Sequence, residues 1–152
     1  MPKDMIIAVD FDATIAHHNY PDLGRPVLGA FHWLKEFQAA GARLILLTMR
    51  SDTEESGPTL TDAVTFCRNH GIEFWAINEN PEQKKWTKSP KVYAHKYIDD
   101  AGACIPLIDG DHGRKVVDWS KVGPSVLEEI KAHYEESHKG VIVGKTVDTR
   151  SK

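Results

Sequence analysis

The stretch Met-Ile-Ile-Ala-Val-Asp-Phe-Asp-Ala-Thr, residues 5–14, decides the fold of this chain. Its first five residues are apolar, and a short apolar run bounded by polar residues predicts a buried strand of a parallel sheet. Asp10 and Asp12 follow at the carboxyl end of that strand, where open α/β sheets place their ligands. Because two carboxylates so close together repel each other, they call for a cation or a shared proton between them. Acidic loops after strands are common, so the rest of the chain decides whether these residues form a site.

Two further apolar runs also end in polar residues. Residues 44–47 lead to Thr48, and Tyr97-Ile98 leads to the acidic pair Asp99-Asp100. The carboxyl ends of parallel strands meet at one edge of a sheet. We therefore expect Thr48 and the acidic pair to lie beside the two aspartates of the first run.

Amphipathic segments separate the apolar runs. Apolar residues recur there at helical spacing, and Gly41 and Gly71 are typical of the ends of helices. The predicted elements are helices from Pro26 to Gly41, from Thr59 or Thr61 to Gly71 and from Pro124 onward, and strands at 5–9, 43–48, 74–77, 96–99 and, weakened by Pro106, 103–108. Strands that alternate with helices predict an α/β fold, a three-layer α/β/α sandwich around a central parallel sheet.

The composition is typical of one soluble globular domain: 152 residues, of which 41% are hydrophobic and 27% are charged. We divide the chain into a domain of residues 1–137 and a polar tail of residues 138–152. No signal-peptide pattern or membrane-length apolar run is visible, so we expect a cytoplasmic protein. The formal net charge of −3 neither indicates nor excludes contact with nucleic acid. Cys67 and Cys104 lack metal-ligand spacing, and we expect both to be free, buried thiols.

Four motifs in a fixed order resemble those of the haloacid dehalogenase (HAD) superfamily of phosphohydrolases. They are Asp10-x-Asp12-x-Thr14, Thr48, Lys91 and Asp99-Asp100, and the resemblance spans Met5 to about Ile108. Ala13 stands where many members have glycine. The resemblance implies the Rossmann-like HAD fold. It is closest to the small capless (C0-type) members of bacteria and phages, because no segment is long enough to form a separate cap domain.

The resemblance also implies a reaction, the Mg²⁺-dependent hydrolysis of a phosphate monoester through an aspartyl-phosphate. Asp10 would be the nucleophile, and Asp12 would be the general acid and then the general base. Thr48 and Lys91 would contact the transferred phosphoryl group. The metal set would be Asp10, Asp12 through its main-chain carbonyl, Asp99 and Asp100, the last either directly or through water. Hard oxygen ligands of this kind suit Mg²⁺.

The lysine of the third motif has two candidates. A strand rises about 3.3 Å per residue, so Lys96 lies roughly 10 Å before Asp99, at the wrong end of the sheet. Residues 92–95 can descend across the sheet first, which returns Lys91 to the edge that carries the aspartates. We assign Lys91; the alternative is a solvated side chain in a lysine-rich loop.

Other polar residues near the motifs have no assigned role. His17 and His18 could contact substrate or a metal, Arg50 could contact a substrate phosphate or carboxylate, and all three could instead be exposed on the surface. Residues 109–112 predict a polar turn. A signalling receiver module also combines an acidic pair, an acceptor aspartate, a threonine and a lysine, but its acidic pair comes first in the chain. A module that accepts or binds phosphate without turnover is a further alternative. The substrate could be a phosphorylated small molecule, a nucleotide or the phosphorylated end of a nucleic acid.

Overall fold

The computed structural model describes residues 4–150, with side chains for residues 4–136. Its strands are β1 (Ile6–Val9), β2 (Arg43–Leu46), β3 (Asp52–Thr53), β4 (Gly57–Pro58), β5 (Ala76–Ile77), β6 (Lys96–Ile98), β7 (Leu107–Ile108) and β8 (Val116–Val117). Its helices are α1 (Ala30–Ala39), α2 (Thr59–Asn69) and α3 (Trp119–Arg150). Four strands form the central sheet in the order β5-β2-β1-β6, and all of its pairings are parallel. This confirms the predicted α/β class.

The first helix begins later than the sequence predicts. Pro26 pairs with Ala16 in an isolated antiparallel bridge, and Val27 N–H donates to the carbonyl of Ile15, so the chain is still extended there. Gly29 then takes a left-handed conformation with φ of 85° immediately before α1. The predicted end of the helix is confirmed at Gly41, whose φ is 105° and which lies against the ring of Tyr134.

The last helix begins at Trp119, five residues before the predicted Pro124. Asp118 explains this earlier start, because its Oδ1 accepts hydrogen bonds from the Ser120 N–H (3.1 Å) and the Ser120 hydroxyl (2.6 Å). An aspartate in this position satisfies backbone donors that the first turn of a helix leaves without partners. The backbone of the predicted tail is helical as far as Arg150, as the carboxyl-terminal part of α3.

Different segments of the chain pack against the two faces of the central sheet. Ile7, Val9, Leu44 and Leu46 pack in one buried cluster with residues of all three helices. On the opposite face Ala8, Ile45 and Ala94 form a small buried cluster, against which Trp75, Ala76 and Val92 pack. The second helical layer of the predicted sandwich is therefore not formed by the residues that the structure describes. The crossover from β5 to β6 contains Pro81 and Pro90 and only a 3₁₀ turn at Gln83–Lys85, because proline interrupts helical hydrogen bonding.

Two short antiparallel ribbons lie outside the main sheet. β3 pairs with β4 between β2 and α2, and β7 pairs with β8. The predicted strand at 103–108 is thus shortened to β7 and does not extend the parallel sheet.

Cys67 is buried as expected, whereas Cys104 is exposed in the turn after β6. Among the described residues, no helix combines the length and the apolar character that a bilayer span requires.

Candidate active site

Three carboxylates converge at the carboxyl edge of the sheet. Asp10 follows β1, with its N–H bonded to the carbonyl of Ile98 at 2.9 Å, and Asp99 and Asp100 follow β6. One oxygen from each of the three carboxylates lies within 4.8 Å of the others. The prediction that parallel strands bring these residues together is confirmed.

The cluster concentrates negative charge in a partly buried place. Burial, together with the negative charges of Asp99 and Asp100, raises the pKa of Asp10 from 3.8 to about 8. Burial also raises the pKa of Asp99. Charged forms of both groups are therefore disfavoured unless a positive charge joins them, which is the electrostatic condition of a cation site.

Thr14 connects the loops after β1 and β6. Its buried hydroxyl donates to Asp10 Oδ2 at 3.1 Å and accepts the main-chain N–H of Asp100 at 3.1 Å. Its carbonyl accepts a 2.7 Å hydrogen bond from the indole Nε1 of Trp119, which is fully buried. The sequence predicts a role for Thr14 by its place in the motif, but nothing local pairs it with a tryptophan 105 residues away.

Asp12 lies apart from the acidic cluster and is held by Arg50. The guanidinium donates from Nε to Asp12 Oδ2 and from Nη2 to Asp12 Oδ1, both at 2.8 Å. The Arg50 side chain is only 1% exposed and that of Asp12 is 19% exposed. Such a bidentate ion pair is strong and directional. Removal of one partner of a buried pair typically costs about 3–5 kcal/mol of stability.

The remaining donors of Arg50 bind main-chain carbonyls. Nη1 donates to Pro21 and Thr59 at 3.2 Å each, and Nη2 donates to Asp22 at 2.7 Å. The guanidinium carbon also lies 5.0 Å from the ring centre of Phe11 and 5.2 Å from that of Tyr20. Arg50 is thus neither the surface residue nor the substrate ligand that its place in the sequence suggests.

An open cavity of about 410 Å³ lies over these groups. Its lining consists of Asp10, Asp12, His18, Tyr20, Thr48, Met49, Arg50, Asp99, Asp100, Ala101 and Arg114. The predicted residue Thr48 is therefore at the site; its Oγ1 accepts the N–H of Arg50, and its own N–H donates to the side chain of Asn78. Met49 is 98% exposed and Tyr20 is 47% exposed, so the rim carries accessible apolar surface.

Lys91 lies outside the lining of this cavity. Its main-chain carbonyl accepts a 2.9 Å hydrogen bond from Nε2 of Gln83. Four residues after it, the N–H of His95 donates to the carbonyl of Ile6, at the amino end of β1, and the assignment of Lys91 to the carboxyl edge stays a prediction. Its side chain is exposed, and its neighbours Ser89, Pro90 and Val92 line a second cavity of about 470 Å³. Lys96 forms a 2.7 Å ion pair with Glu129 of α3, away from the site.

Two residues that the sequence left without a role contribute to the walls. His18 lines the cavity, whereas its neighbour His17 is buried and accepts the N–H of Asp111 through Nδ1 at 3.0 Å. Arg114 precedes β8 and donates to Asp100 Oδ2 at 3.3 Å, with a side chain that is 49% exposed. Arg114 is the lining cation that keeps donors available for a ligand, and no sequence motif singles it out.

No protein-family model matches the chain, and no curated protein matches it. Among solved structures, the chain is similar to a conserved protein of Bacteroides thetaiotaomicron. The two share 34% sequence identity and a TM-score of 0.66 over 84% of this chain and 93% of the other. The chain belongs to the same family as that protein. The likeness supports the α/β fold and carries no statement about a ligand or a reaction.

Proposed function

We propose that this protein is a Mg²⁺-dependent phosphomonoester hydrolase of the HAD superfamily that acts through an aspartyl-phosphate. The observation that carries the proposal is the convergence of Asp10, Asp99 and Asp100 within 4.8 Å in a cavity that also presents Arg114. A phosphate ester dianion repels nucleophiles, so its hydrolysis requires a nucleophile, positive charge and a proton donor at one place.

The donor set fits a hard divalent cation. Carboxylate oxygens are the ligands that Mg²⁺ prefers, and it usually keeps several waters alongside one or two carboxylates. Asp10 and Asp99 would hold the ion with the main-chain carbonyl of Asp12, and Asp100 would bind it directly or through water. When bound, the ion neutralises charge on the nucleophile and the phosphoryl oxygens. The raised pKa of Asp10 supports this fit, because a bound cation would offset the burial and the repulsion from Asp99 and Asp100 that raise it.

In the first chemical step, a carboxylate oxygen of Asp10 attacks phosphorus. The bond from phosphorus to the ester oxygen breaks, and Asp12 gives its proton to that oxygen, which leaves as an alcohol. In the second step water attacks the phosphorus of the aspartyl-phosphate and gives a proton to Asp12. Inorganic phosphate leaves and Asp10 is restored, so one ester and one water yield one alcohol and one phosphate.

Three further side chains would contact the phosphoryl group. Thr48 offers its hydroxyl from the loop after β2, and Arg114 offers guanidinium donors from the segment before β8. Lys91, the lysine assigned to the third motif, would have to reach the group with its flexible four-carbon side chain from outside the cavity lining. The rim formed by Met49 and Tyr20 suits a leaving group with apolar surface.

The cavity is broad, and we infer a capless site on the Rossmann-like HAD fold that admits substrates of different sizes. Phosphorylated small molecules, nucleotides and phosphorylated ends of nucleic acids are the candidate classes. A small ester gains little positioning energy from an open site, so we expect slow turnover of small esters with high KM.

The direct test is hydrolysis of p-nitrophenyl phosphate with Mg²⁺ and with EDTA. Wild-type protein should release nitrophenol only with Mg²⁺, and Asp10→Asn should be inactive while folded. Asp109→Asn is the matched control, because Asp109 is 95% exposed and pairs with Lys115 outside the cavity. Equal turnover by Asp10→Asn and wild type refutes the mechanism. Stable phosphorylation without release favours a phosphate-accepting module instead.

A further inference from the structure

All five N–H donors of Arg50 are occupied in the folded protein. A guanidinium group has five such donors. Two of them bind Asp12, and three bind the carbonyls of Pro21, Asp22 and Thr59. Arg50 therefore has no donor left for a phosphoryl oxygen, although it lines the cavity. Its contribution must come through the groups that it holds.

The pair leaves two lone-pair sites of the Asp12 carboxylate unused. A carboxylate has about four lone-pair sites, and the two bonds from Arg50 use two of them. Each oxygen of Asp12 keeps a site for a proton or a water molecule while the group remains fixed in orientation. Proton transfer depends on such fixed geometry, because the transferring atoms must lie within hydrogen-bond reach.

The same guanidinium holds one wall of the cavity. It binds the carbonyls of residues 21 and 22 and lies 5.2 Å from the ring centre of Tyr20. His18 and Tyr20 of this segment line the cavity. The buried side chain of Arg50 therefore links the position of residues 18–22 to that of Asp12. It also binds the first turn of α2, through the carbonyl of Thr59.

We propose that Arg50 is the positioning residue of this site, which fixes the Asp12 carboxylate and the wall of residues 18–22 as one unit. The catalytic part of this inference, that Arg50 supports proton transfer by Asp12, rests on the proposed phosphatase function. The mechanical part, that Arg50 holds residues 18–22 in place, does not. Lysine cannot replace arginine here, because an ammonium group cannot donate two parallel bonds to one carboxylate and three to separate carbonyls.

The first experiment compares Arg50→Lys and wild type on p-nitrophenyl phosphate and on an alkyl phosphate. An alkoxide leaves poorly without a proton, whereas nitrophenolate leaves readily. We expect Arg50→Lys to lower kcat/KM on the alkyl ester about a hundredfold, with a much smaller loss of kcat/KM on the aryl ester. The ratio kcat/KM reports phosphoryl transfer to Asp10 and excludes the later hydrolysis, in which Asp12 acts as the base for both esters. Asp12→Asn should show the same preference, and the double variant should lose little more than Asp12→Asn alone.

The second experiment needs no activity. Amide hydrogen exchange of residues 18–24 should accelerate in Arg50→Lys and, to a lesser degree, in Asp12→Asn, because each weakens the link to the wall. Arg43→Lys is the matched control, because Arg43 is also an ion-paired arginine that lies over an aromatic ring. It pairs with Asp4 and Glu82 and lies over Trp75, at the amino end of β2. This variant should leave exchange in 18–24 and both kcat/KM values unchanged.

The outcomes separate the two proposals. Equal losses on both esters, with additive effects of Arg50→Lys and Asp12→Asn, overturn the catalytic part of the inference. Unchanged exchange in residues 18–24 overturns the mechanical part. Absence of wild-type turnover on both esters refutes the phosphatase proposal itself, and the exchange measurement still decides whether Arg50 holds the wall.

Discussion

The hydroxyl of Thr14 donates a 3.1 Å hydrogen bond to Oδ2 of Asp10. The hydroxyl oxygen of Thr14 accepts the N–H of Asp100, so one buried hydroxyl fixes the loop after β1 against the loop after β6. The uncharged hydroxyl of Thr14 thus fixes the position of the acidic cluster. Replacement of this hydroxyl by a methyl group leaves the shape of the side chain and removes both bonds.

Thr14→Val should therefore impair the cluster without a change of charge. We expect kcat to fall about tenfold to a hundredfold, because a hydrogen bond to a charged group is typically worth about 1.5–3 kcal/mol. Thr14→Ser keeps the hydroxyl and should retain most of the activity. The measurement is kcat with p-nitrophenyl phosphate at saturating Mg²⁺. Equal activity of the valine and serine variants would contradict the assigned role.

Arg114→Ala should weaken binding of the phosphate group. Its side chain is half-exposed and already shared with Asp100, so its main effect should be on substrate affinity. We expect KM for phosphate esters and the inhibition constant of inorganic phosphate to rise about tenfold, as a modest electrostatic contact predicts. Lys115→Ala is the control, because Lys115 is the next residue and pairs with the exposed Asp109. A loss confined to kcat would place Arg114 in the chemical step instead.

Lys91→Ala should lower kcat, and Lys96→Ala should not. Lys91 is the lysine that the third motif assigns to the phosphoryl group, and loss of a cation aimed at that group typically costs about a hundredfold in rate. Lys96 begins β6 at the amino edge of the sheet and pairs with Glu129, so its removal should change stability slightly and turnover not at all. Steady-state kinetics of the two variants at saturating substrate decide the matter. Full activity of Lys91→Ala would show that its exposed side chain does not reach the substrate.

Mg²⁺ should stabilise the fold more at high pH than at low pH. The folded-state pKa of Asp10 is raised from 3.8 to about 8, so the folded protein binds more protons than the unfolded chain between these values. Without metal, stability should therefore decline as the pH rises from about 4 to about 8. A bound cation replaces the proton and removes this decline. The gain in Tm on adding Mg²⁺ should be larger at about pH 8 than at about pH 5.

Asp10→Asn is the control for this pH dependence. The amide does not titrate, so the variant should lose much of the decline in Tm measured in EDTA. Its gain in Tm with Mg²⁺ should also shrink, because one ligand charge is missing. If the gain in Tm of the wild type were the same at both pH values, Mg²⁺ would not be bound by the acidic cluster.

Local sequence patterns predicted the frame of the site correctly. The apolar runs before Asp10, Thr48 and Asp99 are buried strands or lead directly out of them, and their parallel pairing brings the polar residues to one edge. Gly41 ends α1 as predicted. These features depend on hydrophobic periodicity, strand direction and backbone conformation, which a short stretch of chain specifies by itself.

Other features needed the folded chain. Asp118 starts α3 five residues early, and the crossover that contains Pro81 and Pro90 covers the second face of the sheet without a helix longer than a 3₁₀ turn among the described residues. Each of these results is a competition between local signals, in which a cap or a proline prevailed over apolar spacing.

Residue spacing and strand direction predict where the acidic residues converge, because they fix which side chains leave the sheet at its carboxyl edge. The contacts that hold these residues in place come from distant segments of the folded chain. Arg50 binds Asp12 across 38 positions of the chain, and Trp119 binds the carbonyl of Thr14 across 105 positions. No local pattern marks such pairs, since a buried donor takes whichever acceptor the packing of distant elements brings within reach.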